Sequence, residues 1–289
     1  MFIRDILNRP QPSLSFEVFP PRNDASMATV RQAAESIAGL QPSFISVTYG
    51  AGGGTGAYTA ALAADLQDKY QVPALAHLSC LGASRQDSQY QLDLLQARHI
   101  HNILALRGDR PEGAAADQAS VYHHASDLIA DIKARGGFCI GAACYPEGHP
   151  ESPSQREDIR HLRDKAAAGC DFLTSQMFFD NNIFYNFMYK VRDAGIAIPV
   201  IPGIMPVTHA RQIRRILALS GTVLPQRFRY ILDRFGDNPA TMQEAGIAYA
   251  TEQIIDLLAN GVPAVHVYSM NHPQVAAKIF NNLEEILKG

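Results

Sequence analysis

The chain has 289 residues, 47% of them hydrophobic, and carries 25 basic and 28 acidic residues for a net charge of −3. A near-neutral balance without a block of like charges argues against a nucleic-acid surface and against a basic membrane-binding face. This length and apolar content suffice for one large core, so a single catalytic domain over residues 1–289, without a regulatory domain, is expected.

The N-terminal stretch MFIRDILNRPQPS carries Arg4, Asp5 and Arg9, which removes the apolar centre of a signal peptide. No apolar run approaches the length needed to span a bilayer, so a cytoplasmic location is expected. Cys80, Cys139, Cys144 and Cys170 have no CxxC spacing and fall mostly in or beside predicted strands. They read as free buried thiols rather than disulfides or a zinc site.

In chain order, apolar runs occur at 15–19, 44–49, 74–80, 102–109, 138–145, 172–178, 197–205 and 264–271, the first four starting about 29 residues apart. That spacing is the length of one strand, one covering helix and two short loops. Helix-compatible segments lie between them at 27–39, 59–69, 85–98, 125–135, 155–168, 181–194 and 210–220, with Gly39, Gly169 and Gly221 as left-handed helix-end residues. Segment 208–261 is too long for one crossover and is predicted to hold two or three helices, broken at Pro225 and Pro239. Runs that are apolar throughout, such as 103–106, suit strands covered on both faces. The prediction is an α/β protein, a (β/α)8 TIM barrel with its chemistry at the C-terminal strand ends. There the chain offers Glu17, Thr48, His77, Asp109, Tyr145, Gln176 and Asn271.

The glycine-dense GAGGGTG at 50–56 lacks both the Lys-Ser/Thr of a nucleotide loop and the GxGxxG spacing, and reads as a flexible loop. Glu17, in LSFEVFPPR, shares a strand face with Ser15 and Phe19. A carboxyl desolvated there is pushed toward its neutral form and becomes a candidate general acid; the alternative is an interior ion pair to Arg or Lys. Asp109 ends LALRGD, where Gly108 permits close backbone approach and Arg107 supplies a charge-assisted donor; a solvated strand-end turn is the other reading.

His77 and Thr48 could equally be satisfied core groups, and neither has the spaced partners of a metal site. The pairs His99/His101 and His123/His124 fall in helix-end or loop sequence and read as surface residues, so no metal is expected. In the heptapeptide YPEGHPE at 145–151 two prolines fix a loop from which Tyr, His and Glu project, which suits an extended ligand. Gln176, in TSQMFFD, is an amide placed to hydrogen-bond a heterocyclic ring.

Taken in order, FEVFPPR, SVTYGAGG, AHLSC, LALRGD, AACYPEGHPE, TSQMFFD and IPGIMPV strongly resemble the bacterial methylenetetrahydrofolate reductase family, from about Leu14 to Asn271. The resemblance implies a barrel carrying FAD, with NADH or NADPH as co-substrate, that reduces 5,10-methylenetetrahydrofolate to 5-methyltetrahydrofolate by ping-pong hydride transfer. It implies a homotetramer in one-carbon metabolism and methionine biosynthesis. Glu17 matches the proton donor that assists opening of the imidazolidine ring. Asp109 matches the acid between flavin and pterin. Thr48, His77, Arg107, Gly108, Asp109, Ala125, Tyr145, His149, Asp158, His161 and Lys165 match FAD-holding positions, and Glu17, Asp109, Gln176 and Gln212 face the folate.

Three positions depart from the family pattern. His124 replaces a tyrosine at the cofactor, which leaves Tyr122 as a substitute contact. Ile216 replaces an aromatic beside the folate, and His272 replaces an arginine there. Two other functions fit the same residues: a different flavin-dependent barrel dehydrogenase, or a folate- or flavin-binding protein without turnover.

Overall fold

The computed structural model describes residues 1–21, 23–49, 56–108 and 121–288. Parallel strands β1 (Ser13–Val18), β2 (Phe44–Val47), β3 (Ala74–Ser79), β4 (Asn102–Leu106), β5 (Cys139–Cys144), β6 (Phe172–Met177), β7 (Val200–Ile204) and β8 (Ala264–Tyr268) pair in sequence order, and β8 returns to β1 to close a barrel. Around it run helices α1 (Ile3–Leu7), α2 (Met27–Ala38), α3 (Gly56–Tyr70), α4 (Arg85–Ala97), α5 (Ala125–Arg135), α6 (Gln155–Ala167), α7 (Asn181–Asp193), α8 (Ala210–Ser220), α9 (Gln226–Phe235), α10 (Pro239–Ala259) and α11 (Pro273–Lys288). This is the predicted (β/α)8 barrel.

Period-two alternation divides each strand between two cores. On β1, Leu14, Phe16 and Val18 join Ile37, Ala63 and Ile279 of the surrounding helices, while Ser13, Ser15 and Glu17 turn inward. Inside the lower barrel, Phe44, Leu75, Leu104, Cys139, Phe172 and Ile201 pack with Ile3, Ile6 and Leu7 of α1. The short α1 thus plugs the N-terminal mouth, anchored where Ile3 N donates to Asn102 Oδ1 at 2.9 Å and Arg4 pairs with Asp171 at 3.3 Å. With that end filled, the open end is the C-terminal one.

Segment 208–261 contains the three helices α8, α9 and α10. Pro225 caps α9 and Pro239 opens α10, where the Asn238 side chain accepts from Ala240 N at 3.0 Å. A satellite core of Met177, Phe179, Val207, Phe228, Met242 and Tyr249 fixes these helices beside the barrel mouth.

Several local expectations need correction. Gly39 has φ −60, and the left-handed residue of that turn is Gln41 at φ 55, whereas Gly169 (φ 107) and Gly221 (φ 68) do have positive φ. β7 is shorter than the apolar run at 197–205, and α1 and α11 lie outside the predicted helices. Most of the GAGGGTG loop, and Asp109, lie outside the described residues. All four cysteines are buried free thiols. Among the described residues no helix is long and apolar enough to cross a membrane.

Candidate active site

A cavity of about 700 Å³ opens at the C-terminal end of the barrel. Its lining includes Glu17, Thr48, His77, Arg107, Gly108, His124, Ala125, Tyr145, His149, Asp158, His161, Lys165 and Gln176. Residues named from six different strand ends, from the start of α5 and from along α6 therefore share one space. Asp109 lies outside the described residues, and so does the side chain of Gln212, on α8.

Other candidates do not line the cavity. Asn271 bridges two strand ends instead: its Oδ1 accepts from Phe19 N at 2.8 Å and its Nδ2 donates to Phe19 O at 3.1 Å. His272 lies in the turn before α11, where its carbonyl accepts from Val275 N at 3.1 Å. Tyr122 is buried with its hydroxyl donating to Asp131 at 2.9 Å, so His124 and not Tyr122 faces the cavity. His123 lines it as well, and both histidines of that pair are exposed, as the surface reading expected. Ile216 packs against the satellite core.

At the floor, Glu17 Oε2 lies 3.6 Å from His77 Nε2 and 4.0 Å from His266 Nε2. Burial pushes the Glu17 carboxyl up to about 8, and the same burial pushes His77 and His266 down to about 3. All three are therefore neutral near pH 7. The neighbours of Glu17 are imidazoles, not the Arg or Lys of an interior ion pair. His77 Nε2 is buried and has no hydrogen-bond partner. Such an orphaned polar atom beside a cavity is a place for a ligand's polar group.

His266 and Tyr268 were not among the candidates named from the sequence. His266 is held between Ser15 Oγ at 2.8 Å and Ser46 Oγ at 3.0 Å, and its ring stacks on Phe44 at 5.7 Å. The Tyr268 hydroxyl donates to Ser175 O at 2.6 Å. Alternation along AVHVY would have put both on the inner face, but their partners come from other strands.

The side of the cavity toward α6 is rich in donors. Lys165 Nζ donates to Ala143 O at 2.8 Å, and burial lowers its pKa. Arg107 makes two 2.7 Å hydrogen bonds to the carboxylate of Glu151. His124 stacks on His161 at 4.9 Å, and its pKa falls through burial and then through that neighbour. His149 meets Tyr145 edge-on at 4.6 Å and accepts from Glu151 N at 3.1 Å. Glu147 turns elsewhere and accepts from Val223 N at 2.8 Å, so the heptapeptide ties the cavity wall to the segment between α8 and α9. Burial raises Asp158, whose Oδ2 lacks a partner. Gly108 has φ 96, and a Cβ there would fall 2.2 Å from Ser79 Oγ. Only glycine fits this close approach.

Among the described residues no group of three or more His, Cys, Asp or Glu is arranged to hold a metal ion.

The methylenetetrahydrofolate reductase family model matches residues 2–284. The chain is 31% identical over 286 residues to the 5,10-methylenetetrahydrofolate reductase of Escherichia coli K12, covering 97% of this chain and 95% of that one. It is 31% identical over 294 residues to methylenetetrahydrofolate reductase (NADH) 1 of Arabidopsis thaliana, covering 97% of this chain and 50% of that protein. The chain thus spans about half the length of the plant relatives it matches. A Clostridium thermocellum protein described as binding two copies of 5-methyl-5,6,7,8-tetrahydrofolic acid shares the fold, with a TM-score of 0.60, 14% identity and 100% of both chains covered. So does the dihydropteroate synthase of Xanthomonas albilineans, at a TM-score of 0.54 and 12% identity over 96% of this chain and 92% of that one. With a family match that takes in every strand of the barrel, the chain belongs to the methylenetetrahydrofolate reductase family.

Proposed function

We propose that this protein reduces 5,10-methylenetetrahydrofolate to 5-methyltetrahydrofolate, with FAD as hydride carrier and NADH or NADPH as donor. The observation that carries the reading is Glu17: a carboxyl held protonated by burial at the floor of the C-terminal cavity. Opening the imidazolidine ring needs a proton on the departing amine nitrogen, and an acid with a pKa near 8 is charged with that proton at neutral pH. Reduction then adds a hydride to the methylene carbon, so the hydride completes the methyl group while the proton stays on the released amine nitrogen. Glu17 regains its proton from solvent.

The donor set fits FAD. Lys165, with His124, His149 and His161, lines one side with groups that suit a diphosphate, and Arg107 would be shared between that anion and Glu151. The orphaned His77 Nε2 and the close backbone approach at Gly108 suit a planar polar ring. Thr48, Ala125, Tyr145 and Asp158 complete the proposed FAD contacts, and Gln176 is the proposed folate contact. When bound, the flavin supplies hydride transfer, taking it from the nicotinamide and passing it to the folate in separate half-reactions. The protein's own groups orient the reactants and deliver the proton. Purified protein should be yellow; NADH or NADPH should bleach it without oxygen, and methylenetetrahydrofolate should restore the colour. A colourless protein that takes up no added FAD, or a bleached one that the folate does not reoxidise, ends this reading.

A further inference from the structure

Below Glu17 a chain of hydrogen bonds crosses the barrel interior from β8 to β1 and β2. Ser15 Oγ lies 3.2 Å from Val265 O and 2.8 Å from His266 Nδ1, and Ser46 Oγ lies 3.0 Å from His266 Nε2. The direction of each bond follows from the carbonyl at one end. A carbonyl only accepts, so the single hydroxyl proton of Ser15 goes to Val265 O. Ser15 Oγ must then accept, which requires the proton of His266 on Nδ1. His266 is 2% exposed, and burial keeps the ring neutral, so Nε2 carries a lone pair. Ser46 therefore gives its only proton to Nε2. Toward Glu17 it can offer lone pairs alone.

We propose that His266 is a positioning residue: its tautomer, set by Ser15 and Val265, turns Ser46 into an acceptor, so that Ser46 receives the proton of the buried Glu17 carboxyl instead of donating to it and favouring the carboxylate. Among the described residues the groups facing Glu17 are Ser46 from β2, His77 from β3, and His266 and Tyr268 from β8. His77 is kept neutral by burial, and the Tyr268 proton is engaged by Ser175 O. Burial favours the acid form of Glu17, and Ser46 is the neighbour whose hydrogen-bond sense opposes or supports it: a hydroxyl donating to the carboxyl lowers its pKa, whereas one turned to His266 does not. The role of this chain in catalysis rests on the reduction proposed above, while its existence does not.

Two readouts test it on the full chain loaded with FAD. In protein labelled with ¹⁵N-histidine, the His266 resonances, identified by their loss in His266→Gln, should report Nδ1 protonated and Nε2 bare across about pH 6 to 9. In Ser15→Ala, Nδ1–H loses its acceptor, the proton moves to Nε2, and the Ser46 hydroxyl is released toward Glu17. The carboxyl stretch of Glu17, identified in the infrared difference against Glu17→Gln, should then titrate about one pH unit lower than in wild type. Ser15→Thr keeps the hydroxyl and should leave the midpoint in place. An Nε2-protonated ring in wild type, or an unmoved Glu17 midpoint in Ser15→Ala, overturns the proposal; if Ser15→Ala does not fold, the wild-type tautomer decides alone. Absent folate turnover with both readouts as expected counts against the reduction and leaves the hydrogen-bond chain standing.

Discussion

Glu17 and His77 face each other at 3.6 Å across the barrel floor, yet they do not form an ion pair. Burial acts on both in the direction of neutrality, raising the acid and lowering the base, so a close acid–base contact holds a proton on the carboxyl instead of transferring it.

The first test separates the two half-reactions. Hydride transfer from nicotinamide to flavin needs no proton from Glu17, whereas opening of the folate ring does. Glu17→Gln keeps size and polarity, so anaerobic bleaching by NADH or NADPH is expected to stay within about tenfold of wild type. Reoxidation by methylenetetrahydrofolate is expected to fall by about 10²-fold or more, the usual range for a lost general acid. Equal slowing of both halves would make Glu17 structural.

The same carboxyl has a signature in stability. Its folded pKa of about 8 lies above the ordinary 4.5, so its contribution is complete below pH 4.5 and is lost as pH rises toward 8. Glu17→Gln lacks that dependence. Its urea stability relative to wild type is therefore expected to grow by about 1.4 kcal/mol per pH unit across this window. A gain that is flat from pH 5 to 7.5, about the span of the window, would mean that Glu17 is ionised in the fold.

On the acid side the two buried histidines act in the opposite sense. Their folded pKa values of about 3 lie below the ordinary 6.5, so the stability they carry is complete above pH 6.5 and is lost as pH falls toward 3. His77→Gln should show a shallower decline of melting temperature between pH 6.5 and 4.5 than wild type, about one proton's worth. Parallel curves would show that His77 is not held neutral.

Lys165 is half-buried and donates to Ala143 O on the donor-rich side of the cavity. Lys165→Ala is expected to weaken FAD binding by about 1.5–3 kcal/mol, the range for a charge-assisted hydrogen bond. Titration of apoprotein followed by flavin fluorescence reads this without turnover. Unchanged affinity would remove Lys165 from the proposed diphosphate contacts.

Gly108 offers a steric test. Its φ of 96 and the 2.2 Å approach of a built Cβ to Ser79 Oγ predict that Gly108→Ala costs about 1–3 kcal/mol. Ser79→Ala removes the clashing oxygen but not the backbone strain. The double variant should recover part of the loss, a coupling that thermal melts of the four proteins would measure.

The barrel is legible in the sequence because strands covered on both faces must be apolar throughout, and the regular spacing of 15–19, 44–49, 74–80 and 102–109 leaves room for one helix each. The helix ends are less legible. At Gly39 the backbone stays right-handed and Gln41 takes the turn, a choice made by how the chain must enter β2. The five residues of α1 are too few to display a helical period, and they become a helix because the barrel's N-terminal mouth needs an apolar plug.

Sequence alone determined which chemistry was at hand: Glu17, His77, Arg107, Tyr145 and Lys165 stand at strand ends or on covering helices, and a (β/α)8 barrel brings such positions to one mouth. Only the tertiary structure decided what state those groups are in. Whether Glu17 is a carboxylate or an acid depends on how deeply it is buried and on neutral His77, His266 and Ser46, which reach it from strands far away in the chain. Likewise Asn271 reads as a strand-end ligand until the closure of β8 onto β1 turns its amide to Phe19. Residue type and spacing are local properties, whereas desolvation and hydrogen-bond direction arise from contacts between distant segments, and these exist only once the barrel has closed.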